Sequence, residues 1–111
     1  MITRFKQRRF RRRWARALRS GEYTQGRGVL CRVHDDHTEE WCCIGVGADV
    51  LGVPQTAFLN AIGDGSLQAY VLVAEAAGYG LEVQDKLIHL NDDADGEDFE
   101  GIANYIMGDM K

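Results

Sequence analysis

No carboxylate side chain occurs in the first twenty residues of this chain. Long apolar runs are missing as well. The longest, such as Ala69–Ala74, fall far short of the ~20 residues that cross a bilayer, which excludes a membrane-spanning helix. The basic N-terminus has no apolar segment behind it, so a secretory signal is not expected. Arg-rich starts also occur in organelle-targeting peptides, but this one leads directly into domain-like sequence. Cysteine is scarce: Cys31, Cys42 and Cys43 are an odd number without a disulfide framework, which points to a reduced, cytoplasmic setting. There is one proline, and no repeat or low-complexity linker interrupts the 111 residues. A single domain is therefore expected, with 45% hydrophobic residues supplying one modest core.

What the N-terminus does hold is positive charge. Arg4, Lys6, Arg8, Arg9, Arg11, Arg12, Arg13, Arg16 and Arg19 give +9 over twenty residues, against −13 for the remainder. A net charge of −4 conceals this division. Such asymmetry calls for an anionic partner, or for a basic helix lying on the chain's own acidic surface.

The spacing of Phe10, Trp14, Ala17 and Leu18 predicts a helix over 3–20, closed by Gly21. Gln25–Gly28 reads as a turn, Val29–Val33 as a short strand and His34–Glu40 as a loop. Residues 41–51 favour a helix, although Gly45 and Gly47 weaken it. Pro54 suits the first position of a further helix through Ile62. After a break at Gly63–Gly65, Ser66 is placed to cap a helix running to Ala77. Residues 83–90 form an apolar segment, helix or strand. Asp98 caps a final helix whose apolar face is Phe99, Ile102, Ala103, Ile106 and Met107. The fold class expected is mainly α (α+β): one small domain of four to five helices with one short β-hairpin or strand pair.

Four constellations carry possible chemistry. The first is the arginine set Arg8, Arg9, Arg11, Arg12, Arg13, Arg16 and Arg19, whose planar forks suit phosphates and carboxylates. No RNA-reading aromatic motif or clear helix-turn-helix accompanies it, and a solvated face is the plainer reading. The second is Cys31, His34, His37 and Cys42 with Cys43, which has zinc-ligand chemistry but no paired C-x2-C knuckle. Third, Asn91-x-Asp93-x-Asp95-Gly96 copies half of a calcium loop, but Ile102 stands where a bidentate Glu is required. Fourth, Gln25, Cys42 or Cys43, His89 and Asn91 follow the chain order of papain-like proteases without their local signatures. Gly45-Val46-Gly47 lacks the lysine of a phosphate-binding loop. Neither metal nor cofactor is expected.

Several blocks together resemble a family of small, functionally uncharacterised proteins of bacteriophages, prophages and some bacteria. They are Ala17-Leu18-Arg19-Ser20-Gly21-Glu22-Tyr23-Thr24-Gln25-Gly26-Arg27-Gly28-Val29-Leu30 preceded by Trp14, then Trp41-Cys42-Cys43-Ile44-Gly45-Val46, then Leu90-Asn91-Asp92 with Phe99, Ile102, Ala103 and Ile106. The family often has another cysteine where this chain has Ala48, and a serine where it has Asp98. Its pattern includes none of His34, His37 and His89. The resemblance starts near Trp14, so residues 1–13 are read as an Arg-rich helical extension and 14–111 as the globular domain.

The resemblance implies a phage-associated context in the host cytoplasm without an established activity. The expectation is a non-enzymatic accessory protein that binds and inhibits or sequesters a host component, with a counter-defence role. The alternatives are a nucleic-acid-binding accessory protein and a sponge for a nucleotide signalling molecule, across an oligomer interface. A cysteine-dependent enzyme is the least favoured class. The expected partner is a host protein or anionic ligand, with no membrane involved.

Overall fold

A computed structural model describes residues 3–57 and 64–108. Its elements run α1 (Arg4–Arg19), β1 (Cys31–Val33), β2 (Glu39–Trp41), α2 (Cys43–Val50), a 3-10 turn (Gln55–Ala57), α3 (Asp64–Ala77), α4 (Leu81–Asp92) and α5 (Phe99–Gly108). The fold is mainly α with one two-stranded antiparallel hairpin. No helix among the described residues is long and apolar enough to cross a membrane.

The short helix α2 lies at the centre, with every residue from Cys43 to Ala48 buried. A helix buried on all sides must let its neighbours approach its backbone, and its two glycines do so. A Cβ on Gly45 would overlap the Leu30 carbonyl, and one on Gly47 would stand 3.1 Å from the Trp14 ring. The glycines that argue against helix by propensity are thus required by packing.

Around this centre, α1, α3 and α4 all pack on α2, and α5 lies along α1. Helix α1 begins where Thr3 Oγ1 accepts the Lys6 N–H at 3.2 Å, and it buries Phe10, Trp14, Ala15 and Leu18. The Phe10 and Trp14 rings stack at 5.5 Å, and Trp14 Nε1 donates to the Cys43 carbonyl at 2.9 Å. Burying each large side chain contributes roughly 1.5–3 kcal/mol. The helix crosses residue 13 without a break.

Of four local expectations, two are corrected, one falls partly outside the described residues, and one that was open between helix and strand is decided. The 34–40 loop is shorter, because Glu39–Trp41 pairs with β1 in the register Cys31↔Trp41 and Val33↔Glu39. Two glutamates in a three-residue strand leave no alternation to read. Of the helix expected from Pro54 through Ile62, the described residues hold a 3-10 turn over Gln55–Ala57, and residues 58–62 lie outside the described ones. Ser66 lies inside α3, which is already helical at Asp64. The 83–90 segment is helix, with Gln84, Leu87 and Asn91 on its buried face.

Helices α2 and α3 end alike. Gly52 (φ 86°) and Gly78 (φ 75°) take left-handed conformations. Val53 N–H then bonds back to the Ala48 carbonyl at 3.0 Å, and Tyr79 N–H to the Ala74 carbonyl at 2.9 Å. This is the Schellman arrangement, and it leaves the final carbonyls of each helix without a partner from that motif.

Gly45→Ala is expected to destabilise the fold by about 3 kcal/mol or to prevent folding, because the Leu30 backbone cannot retreat from α2. Urea unfolding followed by circular dichroism measures this. A midpoint equal to that of the wild type would contradict the close approach.

Candidate functional site

The cations of α1 divide into two sets. Arg11, Arg13 and Arg19 are tied to the body. Arg11 Nε donates to the Ala77 carbonyl at 2.6 Å, and its guanidinium lies 4.9 Å from the Tyr79 ring centre. Arg13 donates to the Val50 carbonyl at 3.0 Å. These are carbonyls at the ends of α3 and α2 that the Schellman motifs leave over, and a cation there also opposes the negative end of each helix dipole. Arg19 pairs with Glu100 at 3.5 Å and donates to Asn104 Oδ1.

The other set faces outward. Arg8, Arg9, Arg12 and Arg16 are exposed, and none forms an ion pair among the described residues. Their spacing puts them on the side of α1 opposite Phe10 and Trp14. Phe5 sits in the same row, four residues before Arg9, and is 71% exposed. Arg4–Arg8, Arg8–Arg12, Arg9–Arg13 and Arg12–Arg16 stack like charges one turn apart, each pair costing roughly 0.2–0.5 kcal/mol. The first turn has no acidic residue to offset its dipole. Helix α1 is therefore held by its apolar face and strained electrostatically by its outer one.

Beside this row lies a cleft of about 300 Å³ between α1 and the ends of α2 and α3. Lys6, Arg9 and Arg13 rim it, with Phe10, Leu51 and Ala76 as apolar walls. Neither the cleft nor Phe5 was foreseen from the sequence. An aromatic inside an all-cationic stripe was the available signal for Phe5. Leu51 arrives from a separate helix and gave no signal.

The motif residues of the resemblance converge elsewhere, on the N-terminal end of α2. Asn91 is buried on α4. Its Oδ1 accepts the Cys43 N–H at 3.0 Å and Gln25 Nε2 at 3.2 Å, and its Nδ2 donates to the Gly26 carbonyl at 2.8 Å. Asp92 accepts from Asn91 Nδ2 at 2.7 Å and from the Gly28 N–H at 3.2 Å. Gly26 N–H donates to the Trp41 carbonyl at 2.7 Å. Tyr23 meets Trp41 edge-on at 5.1 Å and bonds to Asp49, while Phe99 and Trp14 are core. Burial, then the Asp49 carboxylate, raises the Tyr23 phenol well above its ordinary value. The arrangement fastens the hairpin, α2 and α4 together.

Gln25, Cys43 and Asn91 thus do meet, but not as a protease site. Cys42 and Cys43 are buried, and burial pushes the Cys42 thiol up to about 12 and the Cys43 thiol well up. Cys42 Sγ instead accepts the Gly45 N–H at 3.4 Å, capping α2. His89 is exposed and meets Asp93 at 3.5 Å. Among the described residues no imidazole bonds to either thiol, so neither thiolate nor base is provided. The zinc set is not assembled: His34 pairs with Glu40 at 2.6 Å, and His37 (φ 68°) is a turn residue. Asn91 is spent inside the fold, which dismantles the calcium loop. Among the described residues no three His, Cys, Asp or Glu side chains stand together as metal ligands.

Residues 6–57, just under half of the chain, match the profile of a family described as a domain of unknown function (DUF8296). No curated protein and no solved structure matches the chain.

Asn91→Ala strands the Cys43 N–H and the Gly26 carbonyl, and is expected to cost about 3 kcal/mol in urea unfolding. The buried thiols give stability an alkaline limit. In the unfolded chain Cys42 and Cys43 ionise near 9.0, whereas in the fold they stay neutral well above it. The unfolded state therefore loses protons first. Stability is expected to fall above about pH 9, and the fall should be smaller in Cys42→Ala.

Proposed function

We propose that this chain is a non-enzymatic binding protein that holds an anionic partner on the outer face of α1. The carrying observation is the row Arg8, Arg9, Arg12 and Arg16 around exposed Phe5, unpaired among the described residues although acids outnumber bases in the chain. An acidic body that had absorbed this charge would have relieved the repulsion along the helix; a partner's anions would relieve it instead. Buried, neutral thiols and a solvent-facing His89 favour binding over catalysis. In the context that the resemblance implies, the protein is a phage or prophage accessory factor. It sequesters or inhibits a host component in the host cytoplasm, where unpaired thiols stay reduced.

Replacing Arg8, Arg9, Arg12 and Arg16 with Gln tests the reading. At pH 7.5 and low salt the wild type, despite its net charge of −4, should be retained on a heparin column, and the variant should flow through. The variant should melt at or above the wild-type temperature, because like-charge pairs are removed. Arg11→Gln should do the opposite: it keeps column binding and loses about 1.5 kcal/mol of stability with the Ala77 carbonyl bond. A wild type that flows through at low salt would overturn the proposal.

A further inference from the structure

The cleft and the arginine row share a residue, Arg9, and that junction narrows the class of partner. This step rests on the preceding reading of α1. Phe5 lies four residues before Arg9 in the row, and Lys6, Arg9 and Arg13 stand together along the α1 edge of the cleft, beside Leu51 and Phe10. The outer row thus presents cations about one helical turn apart, roughly 5.4 Å. Apolar surface flanks them at two points, one exposed ring before Arg9 and one pocket beside it. A ligand that fits must alternate anions with flat apolar groups at short spacing.

We infer that the partner is a single-stranded nucleic acid, whose phosphates follow Arg16, Arg12 and Arg9 and one of whose bases enters the cleft against Leu51. A nucleotide unit carries its anion and its flat apolar ring together, and the ring bears its own hydrogen-bonding edge toward Lys6 and Arg13. An acidic peptide bringing one apolar side chain would fill the pocket and leave Lys6 at its rim bare. A duplex keeps its bases stacked inside, so it has nothing to place in a cleft at the flank of a half-embedded helix. Aromatic platforms beside a cationic track form a sequence-tolerant way to hold a strand. Arginine suits this better than lysine because its fork pairs bidentately with phosphate and stacks on bases. Charge alone would not choose between strand and duplex; the cleft does.

The experiment is fluorescence anisotropy with labelled dT12 and rU12, a 12-base-pair duplex, polyglutamate and uridine monophosphate as probes. The folded full chain is used at 50 and 200 mM salt. Three phosphates neutralised on a single strand predict a log–log salt slope of about −2, a loss of roughly 20-fold over that range. Both oligonucleotides should bind at least tenfold more tightly than the duplex. Arg9→Gln should weaken dT12 about tenfold and flatten the slope by about 0.7. Leu51→Gln, at a residue 37% exposed, should weaken dT12 about fivefold with its unfolding midpoint unchanged, and Leu51→Met should restore binding. Equal affinity for duplex and strand, with Leu51→Gln silent, overturns the inference. Polyglutamate displacing dT12 at equal charge concentration would assign an acidic protein instead, and uridine monophosphate displacing it at the oligonucleotide's own concentration would assign a small nucleotide. In both of those outcomes the cationic-face reading stands. If no probe binds at 50 mM salt, both fall.

Discussion

The fold depends on satisfying the first turn of a buried helix without water. Helix α2 has eight residues, too few to persist alone, and its leading N–H groups point into protein. Each would cost about 1–3 kcal/mol if left unpaired. One carboxamide, from a helix almost fifty positions later, meets the Cys43 N–H and the Gly26 carbonyl of the loop before the hairpin at once. Cys42 supplies a second acceptor from its own side chain. Hairpin, α2 and α4 therefore order together, and α1 seals the same centre from the other side through the Trp14 indole.

That arrangement explains how one helix carries two unlike faces. The apolar stripe of α1 fixes its rotation, and rotation decides which arginines meet carbonyls and which meet solvent. Arg11 and Arg13 finish helices that glycine turns leave incomplete. The outward arginines gain nothing from the fold and repel one another. A chain that keeps such a face is stabilised less than it could be.

How much was legible follows from where polarity and burial agree. Helices α1 and α5 were readable because their apolar residues recur at helical spacing with recognisable caps. Helix α4 was ambiguous because Gln84 and Asn91 occupy its buried stripe, erasing the periodicity that identifies a helix. Strand β2 was hidden by its two glutamates. The glycines of α2 spoke against helix locally and for close packing globally, and only tertiary context decides between these. The order Gln25, Cys43, Asn91 did signal a meeting in space. Its chemistry was misassigned because burial, which the sequence does not print, turns a nucleophile into a neutral core residue. Arg8 to Arg16 could be seen as charge, but their division into inward and outward members needed the rotation of α1.

The bond between Asn91 and the α2 backbone bears on the stretch over which this chain resembles DUF8296. That stretch stops at residue 57, yet the groups that complete its hairpin and central helix, Asn91, Asp92 and the Glu97 carbonyl, come from beyond residue 90. A unit of sequence similarity is therefore not a unit of cooperative folding here. In this chain the matching stretch is closed only by groups from outside it, so residues 6–57 alone leave the Cys43 N–H without its Asn91 acceptor.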